Sequence, residues 1–452
     1  MKTLSGLKAD NIRRRKHLNP PQFLAAMFLI MILVGAILLS MPISQKGGVK
    51  VGILDSFFTS TSAVCVSGLV VVDTADSFNI FGQLVIMFLV QLGGLGFMTA
   101  GVMVALLLGR KVSLRGKIIL QDAFQYQTVD QVTKVIGHVA FTAITIEIIG
   151  AVALGLIWMG EYGPRSFYLG LFHSISAFNN AGFDIFGGFQ SLSTYKGDVL
   201  TLSIIMILIV LGGLGYAVIW GILQRGRGKR ITYHAKVVLI TTFALLVVGF
   251  IGTYLLESSN PAAMGALPLK DKILNSLFYS VTSRSCGFNT LDMGDFTPPF
   301  LFLLIILMFI GASPGSAGGG IKTTVFATII AARWSNIRGE RNVNLFKRRL
   351  AEEVVIKAET IVFLSLLLVM AVTMILSITE ELPFLNILFE AVSAFGPVGL
   401  STGITPHLNP ISKLTLIFTM YAGRLGPLTL VYALGSRSRG LFEYPKGYLN
   451  LG

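Results

Sequence analysis

The sequence predicts an all-α polytopic membrane protein of four helix–pore-loop–helix repeats, with eight transmembrane helices plus four re-entrant pore helices around one central pore. The outgoing helix of the third repeat is expected to be broken by an intramembrane loop. Three observations predict this. Of 452 residues 53% are hydrophobic and 13% charged, with mean hydropathy +0.75, the balance of a chain that meets lipid on many sides. Four short segments end in small residues around a glycine: Val66-Ser67-Gly68-Leu69, Asn180-Ala181-Gly182-Phe183, Ser285-Cys286-Gly287-Phe288 and Pro397-Val398-Gly399-Leu400. Those glycines recur at intervals of roughly 110 residues, a period that makes each repeat a structural unit. Finally, 26 of the 36 Lys and Arg fall in five short segments, and the loops between these segments carry few.

The first 20 residues form a basic arm with Arg13-Arg14-Arg15-Lys16. No small-residue cleavage site follows, so the first apolar run is read as a retained helix. The repeats are then 21–109, 110–224, 225–335 and 336–436, with a tail over 437–452. Each holds two apolar runs long enough to span: 23–42 and 81–108, 139–159 and 199–223, 237–256 and 299–334, 354–378 and 411–434. About twenty residues cross a hydrocarbon core. Between the two runs of each repeat lies a shorter apolar stretch, 55–64, 167–178, 273–283 or 385–395, suited to a half-helix that enters from outside and stops at mid-membrane. A phenylalanine precedes the repeat glycine by ten residues at Phe58, Phe172 and Phe389, whereas the third repeat has Leu277 there with Phe278 beside it. The five cationic segments are the N-terminus, 110–134, 225–236, 333–357 and the tail. This is the asymmetry of cytoplasmic loops, and it places both termini inside. Net charge +14 without an RNA- or DNA-binding motif does not indicate nucleic acid; anionic lipid headgroups are the better partner for the arm. Cys65 and Cys286 stand three residues before Gly68 and one before Gly287 and are expected as free thiols, and no CxxC pattern, metal-ligand cluster or catalytic constellation occurs.

Non-helical backbone at membrane depth persists only where protein buries it or it lines water. Glycine at the end of each half-helix permits the turn, and carbonyls converging on one axis can replace the hydration shell of an alkali cation, aided by the negative ends of the half-helix dipoles. The alternative for a single glycine is close helix packing; four in register favour an ion filter. The outgoing helices carry a second recurring motif, Gly93-Gly94-Leu95-Gly96, Gly212-Gly213-Leu214-Gly215 and Gly423-Arg424-Leu425-Gly426, which lets them bend or pack closely beneath the filter. The third repeat reads Gly311-Ala312-Ser313-Pro314-Gly315-Ser316-Ala317-Gly318-Gly319-Gly320-Ile321-Lys322 instead, a composition that cannot hold a helix. That segment, 311–322, is expected as a gating loop, with Arg424 donating to its carbonyls and repelling cations until it moves, and with Lys322 closing it. The bland alternatives are that Arg424 satisfies helix carbonyls and Lys322 snorkels to the cytoplasm. Glu147, inside an apolar run, is expected to pair with a cation of another span that the sequence does not name. Arg284 either braces the third pore loop or lowers cation occupancy at its mouth, and bracing is preferred.

With the filter stretches Ser62-Ala63-Val64-Cys65-Val66-Ser67-Gly68-Leu69 and Ser176-Ala177-Phe178-Asn179-Asn180-Ala181-Gly182-Phe183, the loop Gly311 to Lys322, and Tyr421-Ala422-Gly423-Arg424-Leu425-Gly426-Pro427, the chain resembles the Trk/Ktr/HKT superfamily of potassium transporters. The stretch Thr282-Ser283-Arg284-Ser285-Cys286-Gly287-Phe288-Asn289 is most similar to the bacterial KtrB branch. The resemblance implies channel-like potassium uptake in the plasma membrane, a homodimer with one pore per protomer, and a cytoplasmic ring of RCK-type, KtrA-like regulatory subunits. It also implies that adenine nucleotide binds that partner, that sodium, which stimulates several members, is a candidate activator, and that no cofactor resides in this chain. The coordinating carbonyls it implies are those of Val66 and Ser67, Asn180 and Ala181, Ser285 and Cys286, and Pro397 and Val398, each pair followed by its glycine, for a monovalent cation only. Where relatives commonly have threonine this chain has Cys65, Ser285 and Pro397; the proline removes an amide and is expected to fix its own φ. Two other classes compete. A secondary transporter of another small cation or solute would show inverted repeats, and an anion channel would need cationic rings.

Overall fold

The computed structural model describes residues 20–95, 129–225, 231–340, 342–427, 429 and 431. The basic arm Arg13 to Lys16, the far end of the 81–108 run, the cations from Arg110 to Lys117, segment 226–230 and the tail lie outside the described residues.

Long, short and intermediate helices follow one another along the chain. The first group is α1 (Pro20–Ser40), α2 (Ile53–Cys65) and α3 (Ile80–Leu95). Next come α4 (Val129–Ile157), α5 (Ser166–Phe178), α6 (Val199–Leu214) and α7 (Tyr216–Arg225). The third group is α8 (Tyr233–Glu257), α9 (Leu269–Thr282), α10 (Pro298–Phe309) and α11 (Thr323–Ile337). A two-stranded hairpin, β1 (Asn344–Leu345) with β2 (Arg348–Arg349), leads into α12 (Glu352–Thr379), α13 (Phe384–Phe395) and α14 (Pro410–Leu425). Among the described residues, Gln22–Ser40, Tyr233–Glu257 and Glu352–Thr379 are each long and apolar enough to cross a membrane. Two bent pairs reach that length together: Phe141–Ile157 with Met159–Phe178, bent by 60°, and Val199–Leu214 with Tyr216–Ile222, bent by 105°. The outward side chains of Tyr233–Glu257 and Glu352–Thr379, among them Phe243, Leu255, Phe363, Met370 and Ile378, are apolar and exposed, a surface that lipid solvates without the cost water would exact.

Each short helix packs along the long helix before it. In the first three groups a serine hydroxyl makes the tie: Ser60 donates to Ile32 O (2.7 Å), Ser174 to Glu147 O (2.7 Å) and Ser280 to Leu246 O (2.6 Å). Each acceptor lies one turn before a glycine, Gly35, Gly150 or Gly249, whose missing side chain is the space that the serine fills. The short helices bury Phe58, Phe172, Phe278 and Phe389. The third is thus one residue out of step: Phe278, not Leu277, takes the buried place.

The 199–223 run, expected as one span that its glycine motif lets bend or pack closely, is not one helix. It breaks at Gly215, with φ 88°, and α14 ends in the same way at Gly426, with φ 84°. A left-handed glycine ends a helix because no Cβ clashes there. In the third group, helix stops at Phe309 and resumes at Thr323, and the glycine-rich segment between them is irregular backbone.

Candidate ion filter and loop

The four short helices point their C-terminal ends at one place. Beyond each, the chain makes a turn with two left-handed residues separated by one: Val66 and Gly68, Asn180 and Gly182, Ser285 and Gly287, Pro397 and Gly399. Glycine was readable as the turn residue, but the non-glycine partner two places earlier was not. Amide bonds back to the helix hold three turns alike, from Ser67 to Ser62 O (2.8 Å), Ala181 to Ser176 O (2.7 Å) and Val398 to Ser393 O (2.9 Å). In the third, Cys286 reaches Thr282 O (3.1 Å), one residue nearer, as the shift at Phe278 requires. Pro397 departs from its expected backbone: its φ is 21° rather than the value near −65° that the ring favours, because its segment follows the same path as the other three turns.

The turns close on one another in a ring. A Cβ on Gly68 would collide with Ala181 O, on Gly182 with Cys286 O, on Gly287 with Val398 O, and on Gly399 with Ser67 O. Each glycine thus meets the carbonyl just before the next glycine, and the fourth returns to the first. Both thiols, Cys65 and Cys286, are free and buried against this ring. The second motif packs beneath it. Side chains on Gly93, Gly212 and Gly423 would strike Val64 O, Phe178 O and Phe395 O, carbonyls in the last turns of the short helices, so close packing is the work of these glycines.

On the C-terminal side of the turns a cavity of about 500 Å³ is lined by the four glycines and by the residues that follow them, including Asp73, Asp184 and Asp292. Burial, with the Asp73 charge added to it, pushes the Asp184 carboxyl up to about 7. The 311–322 loop contributes nothing to this lining and lies against residues ahead of the glycines. Ser313 N and Ala317 N donate to Gly213 O (3.1 Å) and Gly212 O (3.2 Å), and Tyr216 N donates to Gly315 O (3.1 Å). Ala312 N donates to Gly319 O (3.2 Å), drawing the two limbs of the loop together. Arg424 donates from one guanidinium nitrogen to Ala317 O in the loop and from another to Gly93 O in α3. Lys322 Nζ donates to Gly318 O (2.7 Å) and is turned into the loop instead of toward solvent. Pro314 and Ser316 complete the segment, Ser316 Oγ donating to Ser313 O (2.6 Å).

Arg284, near the third turn, donates to Gly311 O (3.2 Å) and is 8% exposed; it braces the start of the loop. Glu147 is 3% exposed, and among the described residues no cation pairs with it. Instead Gln91 Nε2 donates to both its oxygens (3.0 and 2.9 Å), and Asn179 Nδ2 to one (2.9 Å). The expected cationic partner is thus replaced by amide donors from α3 and from the residue before Asn180, contacts that hydropathy could not reveal. Glu390, which the sequence reading passed over, plays a similar part in α13: it accepts from Ser401 Oγ (2.6 Å), Thr402 N (3.0 Å) and Thr405 Oγ1 (2.8 Å), fastening the chain beyond Gly399. An acidic residue in an otherwise apolar half-helix was the available signal. Lys413 of α14 meets Asp55 of α2 at 2.8 Å, joining the last group to the first.

Removing one partner of a buried network strands the rest. Asn179→Ala is therefore expected to lower the thermal midpoint of the detergent-purified protein and weaken ion discrimination together. An unshifted midpoint with intact discrimination would show that the Glu147 network does not brace the second turn.

The apolar helices, the four re-entrant turns and the irregular loop between α10 and α11 define a multi-pass membrane protein by class. Residues 10–436 match the TrkH family model, described as cation transport protein, and the chain belongs to that family. It is 38% identical to the Ktr system potassium uptake protein B of Bacillus subtilis over 98% of both chains. It is 37% identical to the potassium/sodium uptake protein NtpJ of Enterococcus hirae, over 97% of this chain and 99% of that one. The crystal structure of the potassium transporter TrkH from Vibrio parahaemolyticus shares the fold, with TM-score 0.72 at 20% identity, covering 91% of this chain and 85% of that one.

Proposed function

We propose that the chain is a channel-like potassium uptake subunit in which four re-entrant turns strip and bind the ion with main-chain oxygens. The observation that carries this reading is the closed ring, in which each repeat glycine abuts the carbonyl ahead of the next. In the proposed arrangement, four helix–pore-loop–helix repeats supply eight crossings and four pore helices around that ring, both termini lie in the cytoplasm, and the membrane is the plasma membrane. The coordinating groups are the carbonyls of Val66 and Ser67, Asn180 and Ala181, Ser285 and Cys286, and Pro397 and Val398. The helix C-termini behind them add negative potential. The acid-lined cavity gathers cations at the mouth.

On the other side, the 311–322 loop stands across the path as the gate, with Arg424 both its anchor and an electrostatic barrier. The names of two relatives, a potassium uptake protein and a potassium/sodium uptake protein, support a monovalent cation substrate, with sodium as a second ion that acts on flux. A homodimer governed by a cytoplasmic ring of RCK-type subunits that bind adenine nucleotide fits the word "system" in the first name. The cationic segment between α11 and α12, with Arg338, Lys347, Arg348 and Arg349, faces that partner in this topology.

Rubidium-86 uptake into vesicles containing the purified protein tests the substrate. Uptake should saturate, compete with potassium and resist a tenfold excess of sodium, a discrimination of about 1.4 kcal/mol or more. Equal competition by sodium would remove potassium selectivity, and no uptake with or without a regulatory ring would remove the transport reading.

A further inference from the structure

Ser285 stands where two turns of the ring meet the loop. Its hydroxyl donates to Pro397 O at 2.8 Å, with Gly396 O at 3.3 Å, and accepts from the amide of Gly319 at 3.0 Å; the side chain is fully buried. A hydroxyl has one proton and two lone pairs, so an amide held against its lone pair directs the proton away from the loop and onto the Pro397 carbonyl. The backbone of Ser285 is left-handed, with φ 73°, which fixes where Oγ can point. The preceding residue strengthens the tie: Arg284 donates to Gly311 O, and Gly311 and Gly319 lie on the two limbs that the Ala312–Gly319 bond draws together. The third turn therefore grips the loop at both limbs. Arg424 grips it at Ala317 from elsewhere and does not touch Ser285.

We propose that Ser285 is a positioning residue that couples the loop to the ion site. With the loop in place, the Gly319 amide orients the hydroxyl so that it occupies the Pro397 carbonyl and competes with the ion for it. When the loop withdraws, the amide leaves, the hydroxyl rotates, and Pro397 O is released to the ion. The loop thus sets the affinity of the ring in addition to obstructing the path. This rests on the reading of the ring as an ion site and of the loop as its gate.

The test compares four proteins in vesicles: the parent chain, Ser285→Ala, the Gly315 to Gly320 deletion, and both changes together, each read as apparent KM for rubidium and as maximal flux. Ser285→Ala in the intact chain should lower KM about two- to tenfold, the reach of one ordinary hydrogen bond. In the deletion background, where the amide is already gone, the same change should move KM by less than about twofold. Ser285→Thr, which keeps the hydroxyl, should restore the KM difference between loop-intact and loop-deleted chains that alanine abolishes. If alanine does not yield membrane-inserted protein, Ser285→Cys, a weaker donor and acceptor, serves in its place and should move KM in the same direction. An unchanged KM in the intact chain, or an equal change in both backgrounds, would overturn the coupling. Deletion that leaves maximal flux unaltered would instead remove the gate, and with it the reading on which the coupling stands.

Discussion

Replacing Gly287 by serine is expected to lower the preference for potassium over sodium by about tenfold or more while the protein still inserts in the membrane. Gly287 has φ 89°, and a Cβ there would run into Val398 O and the backbone of Gly399. The new side chain therefore meets two penalties, a left-handed backbone that L-residues resist and a steric push on a neighbouring carbonyl. Strain of this kind costs on the order of 1–3 kcal/mol, and one tenfold step in preference needs about 1.4 kcal/mol. Relief comes by displacing Val398 O outward, which widens the ring at one corner and removes the advantage of the larger, more easily dehydrated ion. Gly339 supplies the control. Its φ is 69° but nothing lies within 4 Å of its absent side chain, so Gly339→Ser carries the backbone penalty without touching the ring. Rubidium uptake with and without sodium should separate the two. Equal ion preference in the parent chain and Gly287→Ser would leave the ring without a role in selection.

The second large effect concerns the loop. Deleting Gly315 to Gly320, or changing Arg424 to alanine, is expected to raise flux in the absence of any regulatory partner. Arg424 holds Ala317 O and Gly93 O through separate nitrogens, and hydrogen bonds from a charged donor are worth about 1.5–3 kcal/mol each. Losing the loop contact alone shifts the balance between a closed and a withdrawn loop by roughly ten- to a hundredfold. Arg424→Lys keeps the charge but not the fork that serves two carbonyls on different segments, so its flux should fall between parent and alanine. Were both the deletion and Arg424→Ala to conduct as the parent does, the loop would be a structural filler. A rise in Arg424→Ala but not in the deletion would assign the barrier to the charge itself.

Much of this architecture was legible because membrane folding leaves its rules in composition. The short helices found at Ile53–Cys65, Ser166–Phe178, Leu269–Thr282 and Phe384–Phe395 coincide closely with the apolar stretches read from the sequence, since a half-length apolar run between two long ones has few other places to go. The interruption between Phe309 and Thr323 was likewise written in glycine content. Other features were hidden. The sharpness of the bend at Gly215 and the stop of α14 at Gly426 could not be read, because a glycine motif announces a bend or a close approach without saying which; here Tyr216 N is taken by Gly315 O of the loop, which settles it. Pro397 was expected to impose its own backbone angle and instead takes φ 21°, since the ring permits only one path.

What the sequence by itself determined is the number and spacing of the glycine turns, the alternation of long and short apolar segments, and the cations set within them, because these follow from local backbone freedom and from the cost of polar groups in lipid. Only the tertiary structure decided which groups meet. It set Glu147 against Gln91 and Asn179 rather than a cation, Glu390 against Ser401 to Thr405, Arg284 against Gly311, and Ser285 between Pro397 and Gly319. A buried polar side chain must find a partner, but the partner lies wherever packing brings a donor or acceptor within 3 Å or so, often a hundred residues away. Sequence states the need; geometry alone chooses how it is met.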